Sequence, residues 1–420
     1  INLTPKFFDD HLSVQLNVKG YYFRNNFVDG GGAVGAAVAF DPTHPVYDNT
    51  IQMTDNSTSK LYDGYFVWRN GASYNINATD NPVAIINARD NYADVFRSNG
   101  NLQLDYAFHF LPDLHANLNL GYDWSRTKEY NTIAENSPLA WKNFHRDGAS
   151  VQTYTWQMKQ NTLLEFYLNY KKQIDAIDSN IDFIAGYSWQ HFKNRGWNNN
   201  GVFTSAGYGA PVANADGTYT LIANPSEGSH IGKTYQDLPI IPWMNELQLI
   251  SFFGRFNYTL KDTYLLTFTL RDDASSRFSK DTRWGLFPAL ALGWKINNMA
   301  FMKDASSIND LKLRLGWGVT GQQDIGDYYP YLAMYQQATQ GSYYPVVDAD
   351  GKVQYVPTLY PGAYNKDIKW EETTTWNAGV DVAFLNNRIT ASLDWYLRET
   401  KDLLAYVTVP IGSATSNEMT

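Results

Sequence analysis

Apolar and polar residues alternate along much of this chain. Leu12, Val14, Leu16 and Val18 are separated by Ser13, Gln15, Asn17 and Lys19, and a period of two sends one set to each face of a strand. Leu102, Leu104, Tyr106, Phe108 and Phe110 repeat the pattern against Gln103, Asp105 and His109. After Leu111-Pro112-Asp113 it resumes as Leu114, Ala116, Leu118, Leu120, Tyr122 and Trp124. The same rule predicts strands over 164–170, 181–189, 252–260, 266–270, 286–296, 311–319, 376–384 and 389–397. The expected fold class is all-β, an antiparallel sheet of about eleven strands. Most of them match the roughly nine to eleven residues a tilted membrane strand needs.

The apolar face of these predicted strands carries no charge, whereas the other face carries Arg255, Arg271, Lys312, Arg314, Asp381, Asp394 and Arg398. A soluble sandwich also alternates, so two further features matter. Aromatic residues gather at strand ends, as Tyr122 with Trp124, Tyr187 with Trp189, Trp317, Trp376 and Trp395, which is where a membrane-interface girdle falls. The connections also alternate in length. Short links over 111–113, 172–179, 261–263 and 385–387, and a moderate one over 297–309, separate longer stretches. Those stretches are 25–99, 127–152, 193–248, the compact 272–283, and 321–372. Tight turns on one side and large loops on the other describe an outer-membrane barrel. Loops above about 15 residues are uncommon in compact soluble domains.

Composition narrows the classes. Charged residues make up 18% of the chain and aromatics 15%, which opposes disorder. A net charge of −9 opposes nucleic-acid binding, which needs a basic face. With no cysteine there are no disulfides, thiolate metal sites or cysteine nucleophiles. No apolar run approaches the roughly 18 residues of a membrane helix. The Ile1-Asn-Leu-Thr-Pro5 start has neither a basic nor an apolar leader segment, so any signal peptide is expected to lie outside it. Single-chain bacterial barrels have even strand numbers, so about eleven strands reads as a piece of a larger barrel.

Several segments resemble one family. Phe253-Gly-Arg-Phe-Asn-Tyr258 leads through Lys261-Asp-Thr-Tyr264 to Leu270-Arg-Asp-Asp-Ala-Ser-Ser-Arg-Phe278. Trp284-Gly-Leu-Phe-Pro288, Leu292-Gly-Trp-Lys295 and Leu311-Lys-Leu-Arg-Leu-Gly-Trp-Gly-Val-Thr-Gly-Gln322 follow. Trp376-Asn-Ala-Gly-Val-Asp381, Asn387-Arg-Ile389, Asp394-Trp-Tyr396 and Thr400-Lys-Asp-Leu-Leu404 complete the series. Looser matches are Asn81-Pro-Val-Ala84 and Leu104-Asp-Tyr106. In this order they resemble the SusC/RagA family of TonB-dependent outer-membrane transporters. The resemblance implies a barrel of roughly 22 strands around an N-terminal plug, residence in the bacterial outer membrane, and opening by TonB. It also implies a SusD-like surface lipoprotein as lid, import of glycans or peptides, and a dimer of transporter–lid pairs. On that reading residues 1–420 are part of one barrel domain, with the plug, the TonB box and the last strands outside them.

Candidate residues fall into two sets. The seven charged residues named above are expected to face the lumen, where pairing holds a wall or plug together. Aromatic rings in the predicted outside loops stack on sugar faces or peptides. Trp141 and Trp197 lead that set, followed by Trp68, Tyr328 and Tyr343, with Tyr208, Tyr219, Trp243, Tyr329, Tyr331 and Tyr344 as lesser candidates. Packing of the loops on themselves or on a lid competes with ligand contact for each of them. The run 271–277 reads as a polar turn. Asp348-Ala-Asp350-Gly351 and Asn214-Ala-Asp216-Gly217 read as hairpin turns, since neither completes a calcium loop. No metal, cofactor or catalytic constellation is expected: there is no nucleophile elbow or paired histidine motif. Gly30-Gly31-Gly32 is expected to lie in a loop without a helix behind it. The reading is a ligand-importing barrel. Its alternatives are a passive porin and a secreted β-rich glycan-binding module.

Overall fold

The computed structural model describes the chain except residues 49–60, 71–72, 144–149, 204–206, 209–211, 216–218, 221–222, 225–239, 303–306, 338–342, 363, 406, 409–417 and 420. Its body is one antiparallel sheet with eleven long strands. In chain order these are β1 (Leu12–Asn26), β2 (Arg89–Ala107), β3 (Leu114–Ile133), β4 (Val151–Ile174), β5 (Ser179–Phe203) and β6 (Ile241–Leu260). Then come β7 (Tyr264–Ser275), β8 (Trp284–Lys295), β9 (Ile308–Gln322), β10 (Glu371–Phe384) and β11 (Ile389–Lys401). Each pairs with its neighbours in sequence, so the sheet is a meander without crossovers. Two short segments missed by the alternation, Asn2–Leu3 and Lys6–Phe7, pair with β1 as one arm of a hairpin. Two-residue strands are too short for a period to register.

Every predicted strand is present, but β2 to β6 run far beyond the predicted limits. They are 19, 20, 24, 25 and 20 residues long, and much of what looked like loop over 89–99, 125–133 and 193–203 is sheet. The apolar alternation stops because both faces there leave lipid, not because the ladder ends. What continues it is cross-strand pairing of large rings. Tyr92, Tyr130, Tyr154 and Trp197 follow one another across four strands at 5.1, 4.8 and 5.1 Å between ring centroids. The Arg24 guanidinium caps the row 4.5 Å above Tyr92.

The short turns all lie at one end. Lys261 and Asp262, and Leu385, Asn386 and Asn387, take positive φ there, a region that Asn and Asp tolerate better than other side chains. At the other end the connections fold into small units. Asn81 caps helix α2 (Pro82–Asn87), accepting from Val83 N at 3.1 Å and Ala84 N at 3.4 Å. Pro82 at the first helical position costs no hydrogen bond. The Asn81 amide also donates to Val46 O and Phe66 O, at 2.7 and 3.2 Å, stitching the connection together. Gly30–Ala39 forms helix α1, contrary to the loop expected there. Its alanine content favours helix, and Asp29 already fills its N-terminus, accepting from Gly32 N at 2.9 Å. Asp348–Gly351 is the expected hairpin tip, between Tyr344–Val347 and Val353–Val356. Val212–Ala213 pairs with Tyr219–Thr220 as a hairpin too, though Asp216 and Gly217 lie outside the described residues.

Buried apolar residues concentrate where the sheet alone leaves a gap. Pairing of β8 with β9 ends at Ala289–Gly318, while β9 continues to Gln322. Phe278, Phe287, Ile368 and Trp370 fill that seam, and the Trp370 indole donates to Arg283 O at 2.8 Å.

Candidate functional site

The register sorts the strands into two faces. One carries Leu102, Leu120, Leu164, Phe166, Phe252, Phe268, Leu290, Leu315 and Leu393, most of them more than a third exposed. Such a surface belongs against acyl chains. Two apolar grooves of about 340 and 310 Å³, lined by residues such as Leu266, Leu292, Trp317 and Trp376, lie on this face. Their position assigns them to lipid, not to a transported solute.

The opposite face is polar, and all seven predicted charges project from it. Arg314, Asp381 and Asp394 come together across β9, β10 and β11. The guanidinium donates from Nε to Asp381 Oδ2 at 2.8 Å and from Nη2 to Asp381 Oδ1 at 2.9 Å. Nη2 also reaches Asp394 Oδ1 at 3.0 Å and Ser392 Oγ at 3.2 Å, and Ser392 Oγ donates in turn to Asp381. Gly379 makes the room: a Cβ there would lie 2.5 Å from Asp394 Oδ1 and 2.8 Å from Arg314 Nη2. A fork of two parallel bonds fixes the guanidinium plane as well as its position. Lys312 sits opposite Asp381 in the register.

Toward the loop end, Arg271 donates to Ser251 Oγ at 3.1 Å and to Asp273 Oδ1 at 3.0 Å, and lies 5.6 Å from the Phe253 ring. Arg271, Ser251 and Asp273 border a polar cavity of about 410 Å³ with Glu165, Ser188, Gln322 and Gln323. The following turn is tied to the wall: Ser276 Oγ accepts from Gln248 N at 2.9 Å, and Ser275 Oγ donates to Gln323 Oε1 at 3.0 Å. Arg277, itself buried, meets Asp324 at 2.7 Å. The structure thus gathers Arg314, Asp381 and Asp394 into one group and sets Arg271 in a second. Arg255 and Arg398 are exposed and stand apart from both. Ser251, Ser188, Gln322 and Gln323 were not foreseen. Small polar residues in strands carry no signal until the register brings them round one cavity.

The aromatic candidates divide. Trp141 is buried, with its indole donating to Asn136 Oδ1 at 3.1 Å and its ring edge-on to Tyr62 at 5.6 Å. Trp68 packs among Phe40, His44 and Phe66. Trp197 and Trp243 are strand residues of β5 and β6, not loop residues as expected; asparagines around Trp197 and Pro242 before Trp243 hid the strands. Tyr329 accepts from Glu246 N at 2.9 Å through its hydroxyl, and Tyr331 packs against the seam cluster. Tyr328 lies 5.6 Å from the Arg277 guanidinium. Tyr343 is half-buried and Tyr344 exposed. The side chains of Tyr208 and Tyr219 lie outside the described residues. No cluster of three or more metal-ligating side chains occurs among the described residues.

A lipid-facing apolar band, a charged inner face, tight turns at one end and tall strands at the other define an integral β-barrel protein of the outer membrane. The family model "TonB dependent receptor-like, beta-barrel" matches residues 46–418, and the chain belongs to that family. The TonB-dependent receptor SusC of Bacteroides thetaiotaomicron is 38% identical over 429 residues, covering 100% of this chain and 39% of that protein. TonB-dependent receptor P3 of Formosa agariphila is 30% identical, covering 93% of the chain and 34% of the relative. In fold, the chain is similar to the RagAB peptide importer in its closed-closed state, with a TM-score of 0.67 at 20% identity. That likeness covers 97% of this chain and 40% of the other. The chain therefore spans about two fifths of the length of SusC and of the RagAB chain.

Proposed function

We propose that the chain forms part of the wall of a nutrient importer, through which glycans or peptides enter beneath a SusD-like surface lipoprotein. In this reading TonB drives entry by displacing a plug domain inside the barrel. The observation that carries it is the inner face, where ionised groups are held at fixed positions instead of lining a loose aqueous pore. The Arg314–Asp381–Asp394 group gives a plug a rigid, already satisfied surface to slide or tilt against. Near the mouth, the Arg271 cavity with Ser188, Ser251, Gln322 and Gln323 offers donors and acceptors of the kind a hydroxyl-rich or amide-rich solute requires. In this reading Tyr328 and Tyr343 remain the loop aromatics that would add ring contact, whereas burial gives Trp141 a packing role.

The test is made on the intact transporter extracted from native membranes in mild detergent. A lipid-modified second protein is expected to co-purify, and in planar bilayers the complex is expected to pass no steady current at rest. A lone protein with open conductance would sink the proposal and put the passive porin in its place.

A further inference from the structure

Just above the apolar band, the lipid-side face changes character. On β3 the outward residues run Leu118, Leu120, Tyr122, Trp124, then Arg126 and Lys128. On β5 they run Phe183, Ala185, Tyr187, Trp189, then His191, Lys193 and Arg195. The register places Phe96, Arg126, Met158, Arg195 and Met244 side by side across β2 to β6. Two arginines therefore flank one methionine at two strand spacings, about 10 Å. Both are exposed, and Arg195 Nη2 lies 3.8 Å from Met158 Sδ.

Carboxylates on this patch are already engaged. Asp94 is held by Arg24 at 2.7 and 2.9 Å, and Glu246 by Lys193. Asp94 also faces Lys128 across β2 and β3, whereas among the described residues no ion pair within 4.0 Å involves Arg126 or Arg195. An unneutralised cationic group in a chain of net charge −9, at the height where tryptophans mark the membrane interface, calls for an anion supplied by the membrane. Guanidinium is the side chain best matched to phosphate oxygens.

We infer that Arg126 and Arg195, seated on either side of Met158 and supported by Lys128, bind the phosphorylated headgroup of a glycolipid in the outer leaflet. The acyl chains then lie along the apolar rows below. The site is on the opposite face from any transported solute, so it does not depend on the proposed import.

The test uses the purified full-length transporter and native mass spectrometry with lipid A as the probe, either phosphorylated or phosphatase-treated. The wild type is expected to retain phosphorylated lipid A preferentially. R126Q/R195Q should weaken that binding about tenfold to thirtyfold, on the scale of two basic residues at a charged surface, and should bind the dephosphorylated form as the wild type does. R126K/R195K, which keeps both charges, should retain most of the binding and guards against a folding defect. Equal binding by R126Q/R195Q and wild type, or no preference for the phosphate, would overturn the site. So would a photo-crosslinker at position 126 that captures protein rather than lipid in intact membranes.

Discussion

At the scale of single residues, the inner face depends on one absent side chain. Gly379 leaves the space in which Arg314 meets two carboxylates, so Gly379→Val should break the fork and leave partly desolvated charges unmatched. The expected readout is a lower temperature for the barrel's mobility shift on unheated gels. An unchanged transition would mean that the cluster contributes nothing to the wall. Trp141 separates packing from ligand contact. Trp141→Ala should open the connection around Tyr62 and α2 to protease, with the large cost usual for a buried indole, about 3–5 kcal/mol. Reduced uptake with unchanged protease resistance would instead return Trp141 to the ligand-binding set. Alternation alone put Arg314, Asp381 and Asp394 on one face. It said nothing of their meeting, because Arg314 and Asp381 are 67 positions apart and only the register joins them.

At the scale of elements, the membrane-crossing parts of the strands were legible because lipid on one face and polar interior on the other impose a period of two. Where β3, β4 and β5 rise beyond the lipid, that constraint lapses. Trp197 sits between Gly196 and Asn198, a local pattern that reads as loop. Its partners Trp156 and Pro242 are what make it strand. Helix α1 was missed for the opposite reason: three glycines masked an alanine run whose cap, Asp29, precedes them. Hydrogen exchange on the intact transporter distinguishes ladder from loop directly. Amides over 125–132 and 153–158 should exchange as slowly as those over 114–122. Exchange within seconds would show that the rings of Tyr92, Tyr130, Tyr154 and Trp197 do not hold the sheet together above the membrane.

At the scale of the whole molecule, the strands are of two lengths. β2 to β6 have 19 to 25 residues, whereas β7 to β11 have 12 to 15. With about 3.3 Å per residue and a tilt near 40°, a strand of 25 residues climbs about 60 Å and one of 12 about 30 Å. The rim is therefore a slope. On its high side the backbone ladder continues nearly to the top, where a bulge between Gln152 and Tyr154 shifts the register of β4 against β5. On its low side, what stands above the sheet is turn and short hairpin, such as Tyr335–Gln337 against Leu359–Pro361. Across these eleven strands stiffness is graded accordingly, tall hydrogen-bonded ladders over β2 to β6 and turns and short hairpins above β7 to β11. Within this stretch of wall, movement of the rim is expected on the low side, where fewest ladder bonds stand above the membrane.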